Sequence, residues 1–103
     1  MAGAIKLASG ELWTASSSPY HWVLEFLIAS VQDKTAMDAL AEIRDANLGM
    51  VDLQEFAPEV RDQMQGLISD RLLPDAEARL RTDLPDRAGY LAILRELADM
   101  AHR

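Results

Sequence analysis

His21 and Glu25 are the residues in this chain whose types and spacing come closest to an acid–base or metal-binding pair. Four apart on a helix, they project to one side, where an imidazole and a carboxylate can share a proton or ligate an ion. A Glu25 left poorly solvated among apolar neighbours would have a raised pKa and become a candidate for proton transfer. A metal site, however, needs three or four protein ligands, and the other histidine, His102, lies at the far end of the chain. The expected state of the pair is therefore the wet edge of a helix, with no catalytic residue, no metal and no cofactor assigned.

A second constellation is Asp38, Glu42 and Asp45, with Asp33 nearby. Spacing of i, i+4 and i+7 lines these carboxylates along one helix edge, where they would steer a basic partner and reject acidic competitors. The competing expectation is a solvated helix face, because Arg44 sits among them. Arg71, Arg79, Arg81 and Arg87 look like a phosphate site until Asp70, Asp75, Glu77, Asp83 and Asp86 are placed beside them; the surface there is mixed. The sequence contains no phosphate-binding glycine loop, dinucleotide fingerprint, EF-hand loop, zincin helix or nucleophile elbow.

Composition narrows the field further. The 103 residues fit one domain, 1–103, and half of them are hydrophobic, enough for a core without disulfides or metal. There is no cysteine, which suits a reducing compartment. No secretory leader is expected, and residues 19–31 are too few to cross a bilayer of about 30 Å. A soluble, cytoplasmic protein without a membrane partner is expected. With 17 acidic and 10 basic residues the formal charge is −7, and a surface of that sign repels a phosphate backbone, so no nucleic-acid partner is expected. A helix-turn-helix over residues 52–72 would face the groove with excess negative charge. Residues 1–32 hold a net charge of only −1, leaving −6 in residues 33–103. The charge-poor third belongs at the centre of the fold or against a second copy.

The element that must organise the rest is the helix over residues 19–32. Its apolar load, Tyr20, Trp22, Val23, Leu24, Phe26, Leu27, Ile28 and Val31, wraps most of the cylinder, leaving Ser18, His21, Glu25 and Gln32 on one narrow polar strip. Ser18 is expected to cap it, with Pro19 in its first turn and Ser16–Ser18 as a linker. Ahead of it, residues 4–15 read as a β-hairpin. A three-residue turn with Gly10 left-handed would set Ile5 against Trp13, whereas a two-residue turn would strain Ser9; the former is favoured. Two strands alone are marginal, so the hairpin needs a helix, a third strand or another hairpin. Ile5, Leu12 and Trp13 are accordingly the candidate residues for pairing between copies.

Further helices are expected over 36–47, stopped by a left-handed Gly49; over 58–72, where Gly66 marks a close crossing; and over 86–101. Asp52–Phe56 has the form of a capped helix start, with Val51 stapling onto Phe56, and residues 75–82 could add two turns. The predicted fold is a small α+β domain, an N-terminal hairpin on four or five helices around helix 19–32. In size, acidity and lack of catalytic motifs the chain is similar to small intracellular inhibitors such as immunity proteins that cover basic toxin surfaces. That similarity implies a non-enzymatic interaction domain binding a basic protein partner. The alternatives are a homodimer joined through the hairpins and a small ligand-binding domain or enzyme using His21 and Glu25.

Overall fold

A computed structural model describes residues 2–102. Its elements, in order, are β1 (Ala2–Lys6), β2 (Leu12–Ser16), α1 (Ser17–Ser30), α2 (Lys34–Asp45), β3 (Met50–Asp52), a 3-10 turn (Leu53–Glu55), α3 (Pro58–Asp70), α4 (Leu72–Arg79) and α5 (Arg87–His102). This is the expected α+β architecture, a hairpin packed on a helical bundle.

The hairpin turns at Gly10, whose φ of 93° is in the left-handed region open to glycine. Leu7 and Glu11 bracket three turn residues, the Leu7 N–H donating to the Glu11 carbonyl at 2.9 Å, and the register sets Ile5 against Trp13. Two glutamines from outside the hairpin hold the turn: the Ala8 N–H donates to Gln65 Oε1 and its carbonyl accepts from Gln54 Nε2. Alternation then sends Gly3, Ile5, Leu7 and Trp13 inward and leaves Leu12 and Thr14 facing solvent.

The hairpin gains its third strand from β3, which pairs parallel to β1 with Ala4 opposite Met50 and Lys6 opposite Asp52, giving the order β2-β1-β3. The capped start expected at Asp52 is present as a single 3-10 turn, Asp52 Oδ1 accepting the Gln54 N–H at 2.9 Å, but the turn ends at Glu55 and Val51 packs in the sheet.

Helix α1 sits at the middle, touching both strands of the hairpin and α2, α3 and α5. Val23, Leu24 and Leu27 are wholly buried, while Ser18, Glu25 and Gln32 form the exposed strip. Each fully buried side chain of this size contributes roughly 1.5–3 kcal/mol of transfer free energy. The N-terminus differs from expectation. No linker separates β2 from α1, Ser16 occupies the cap position, and Ser18 lies in the first turn with its Oγ 3.1 Å from the Tyr90 hydroxyl. Trp22 stacks on Phe26, centroids 6.1 Å apart, so one turn of α1 carries a rigid aromatic pair.

Helix α2 is capped by Asp33, which accepts the Ala36 N–H at 2.9 Å. It ends at Asn47 rather than Gly49: Asn47 takes φ 55°, Leu48 N–H donates to the Ile43 carbonyl at 2.9 Å, and Asn47 N–H to Arg44 at 3.1 Å. This pair of bonds is a Schellman stop, and it brings Leu48 back over Ile43. The two turns expected over residues 75–82 are α4, which lies three residues earlier. Gly66 marks no crossing, since a Cβ there would meet nothing within 4 Å. Helix α5 closes the core with Leu94 and Leu97 wholly buried.

Candidate functional site

His21, half-buried, and Glu25, exposed, lie on the polar side of α1, each beside a neighbouring side chain. Glu25 is held by Arg44 of α2 at 3.2 Å, and the His21 ring meets the neighbouring Tyr20 ring edge-on, centroids 5.3 Å apart. His102 contacts Ser69 Oγ at 2.9 Å, at the junction of α5 with α3. Among the described residues no group of three or more His, Asp or Glu is placed to hold a metal ion. Nor is any helix among them long and apolar enough to cross a membrane.

The carboxylates of α2 divide. Asp38 pairs with Lys34 at 3.1 Å and Asp45 with Arg44 at 3.0 Å. Arg44 bridges Asp45 and Glu25, and hydrogen bonds to those two carboxylates, Asp45 first, raise its pKa. These contacts are solvent-exposed and worth little to stability. Glu42, on the same exposed edge of α2, also lines a groove of about 670 Å³ between α2, β3 and the start of α3, which neither Asp38 nor Asp45 lines.

That groove draws its lining from α2, β3 and the segments around them. Ala36, Ala39 and Ile43 form its α2 wall; Phe56, Ala57 and Val60 form the wall from the 3-10 turn and α3. Met50 from β3 and Leu48 from the Schellman turn complete the apolar lining. Among the described residues three large apolar side chains are conspicuously exposed, Leu12 at 51 %, Leu48 at 52 % and Met50 at 45 %, and two of the three are in this groove. Four carboxylates also line it, Asp33, Glu42, Asp52 and Glu55, and no Lys, Arg or His does. Asp33 and Asp52 are fixed by accepting backbone N–H groups.

The hairpin residues are placed differently from the expectation for an interface. Ile5 and Trp13 are 0 % and 1 % exposed, and Trp13 Nε1 donates to the Ile93 carbonyl of α5 at 3.3 Å. They face their own core and have no area to offer a second copy; Leu12 alone of the three reaches solvent. The charge-poor N-terminal third is interior because it supplies the centre of the fold. In the Arg-rich stretch two ion pairs form, Arg79 with Asp75 and Arg81 with Asp83, and Arg87 Nη2 donates to the Glu77 backbone carbonyl at 2.7 Å.

Comparison of the chain with protein-family models, curated proteins and solved structures gives no match.

Proposed function

We propose that the chain is a non-enzymatic interaction domain that binds a basic, apolar-bearing segment of a protein partner in the groove between α2 and β3. One observation carries the reading: the recess that holds Leu48 and Met50, the two exposed apolar side chains on one surface, is lined by four carboxylates and no cation. An apolar floor supplies affinity by burial, and an uncompensated ring of one sign selects a partner of the other. A net charge of −7 adds long-range attraction for such a partner and repulsion for nucleic acid. An inhibitor that covers a basic surface on its target, in the manner of immunity proteins, is the form of this function that the charge supports. A cytoplasmic setting belongs to the same proposal and rests on the sequence argument alone.

The test is site-specific photo-crosslinking in the cells that make the protein, with benzoylphenylalanine at position 48. The expected result is an adduct with one partner at a segment rich in Lys or Arg, weakened by salt and lost in Glu42→Lys with Glu55→Lys. Crosslinks to acidic segments, or adducts indifferent to both salt and those substitutions, would overturn it. The homodimer reading now depends on Leu12 and the open β2 edge; light scattering of wild type against Leu12→Asp decides it.

A further inference from the structure

We infer that the groove takes its basic partner as an extended strand, added to the open edge of β3. This rests on the proposed function and names the mode by which that same site binds.

The argument starts from the ladder. The Ala4 N–H donates to the Gly49 carbonyl at 2.9 Å, and Ala4 stands opposite Met50 in the parallel pair. In a parallel ladder alternate residues of one strand direct both backbone groups to the same neighbour. Gly49 and Val51 therefore address β1, while the Met50 N–H and C=O and the Asp52 N–H turn to the opposite edge; the Asp52 carbonyl opens the 3-10 turn instead. That edge is the groove's: Met50 and Asp52 line it, Val51 is wholly buried, and no residue of β2 lines it.

The recess thus combines three things an extended chain uses and a docked helix does not use together. The Met50 N–H and C=O and the Asp52 N–H offer a short ladder. The apolar lining of Ile43, Phe56 and Val60 receives side chains at alternate positions of an added strand, which all point to one face. The carboxylates of the same recess receive the interleaved Lys or Arg residues, whose long stems fold back over the strand from its other face. A helix would bury apolar surface and meet the charges, but its own backbone groups are satisfied internally and leave the edge unmatched. Since β3 is three residues long, the added ladder is short, and side-chain charge must supply much of the affinity. A short edge flanked by like charges also discourages pairing between copies.

The probe is an acetylated, amidated peptide of alternating Arg and Val, about seven residues long, the span of a typical strand. Nuclear magnetic resonance of the full chain reads it. At saturation, exchange of the Met50 and Asp52 amides is expected to slow about tenfold or more. Peptides N-methylated along one backbone edge should bind about fivefold or more weakly, and those methylated along the other edge should bind unchanged, because only one edge faces β3. Binding that shifts the Ile43 and Val60 methyls while both amides exchange freely, with both methylated sets equivalent, overturns strand addition and leaves the groove's function standing. A peptide that binds nowhere in the groove, or binds equally to Glu42→Lys with Glu55→Lys, overturns the functional reading too. Amides already protected without peptide, in a chain that sediments as a dimer, would assign the edge to a second copy and overturn both.

Discussion

The ring of Tyr20 lies directly on the backbone of Gly3, so closely that a Cβ at position 3 would occupy the space of the ring. From that seat the Tyr20 hydroxyl donates to the Leu48 carbonyl at 2.9 Å. One side chain of α1 thus fixes both the first strand and the segment that enters β3. Gly3→Ala must move the ring, and overpacking of this kind lowers stability by about 1–3 kcal/mol. Urea unfolding checks it; a midpoint unchanged from wild type would mean that the ring is not seated there.

The same tyrosine gives a pH dependence. Burial raises the Tyr20 phenol above its ordinary value of 10.0. The folded chain then holds this proton more tightly than the unfolded chain, so the contribution is complete below about pH 10 and is lost as pH rises through the raised value. Tyr20→Phe removes the titration along with the Leu48 bond, which is worth about 1 kcal/mol. The stability gap between wild type and Tyr20→Phe should therefore narrow as the solution is taken above about pH 10. A constant gap up to pH 11 or so would contradict the burial of the phenol.

Position 47 tests the end of α2. Asn47 holds a left-handed conformation that glycine adopts freely and a β-branched residue resists. Asn47→Val should be less stable than Asn47→Gly by about 1–2 kcal/mol, both variants having lost the asparagine side chain. Because Leu48 is positioned by that turn, Asn47→Val should also weaken groove binding; thermal melts and peptide titration read the two effects separately.

Gly66 offers the opposite sign. It lies inside α3 with open space where a Cβ would go. Gly66→Ala should raise stability by about 0.5–1 kcal/mol, the difference in helix propensity between the two residues. A loss on calorimetry would reveal a contact at that position that the structure does not contain.

Met50 separates fold from binding. Its side chain is half exposed on β3, so Met50→Lys should change stability by less than about 0.5 kcal/mol. Placed among four carboxylates, the new ammonium should compete with a basic ligand and reduce its affinity about tenfold at low salt.

How far the sequence announces this molecule depends on the element. Helix α1 is legible because its apolar residues leave one narrow polar strip, and the hairpin register because Gly10 is the turn residue that tolerates the left-handed position without strain. Strand β3 is hidden: three residues carry too little alternation, and their partner strand is remote in sequence. Gly49 is the stronger stop signal by residue type, but the helix ends earlier, where asparagine suffices once Leu48 can bond back to Ile43. The groove is the least visible feature. Its lining comes from α2, the Schellman turn, β3, the 3-10 turn and α3, so no single window shows its pattern. The available signal was the two large apolar residues flanking Gly49 in a connection that ought to be polar.

The strand at the middle of the sheet, β1, precedes both of its neighbours in the chain, and the second of them follows only after a hairpin partner and two helices. High separation between paired strands slows the closing step of folding. Until that closure, a nascent chain has the acidic helix but no complementary wall for a ligand. On the proposed function, capture of a basic segment would be a property of the finished domain, and a ligand seated there would act as a latch that discourages β3 from peeling away.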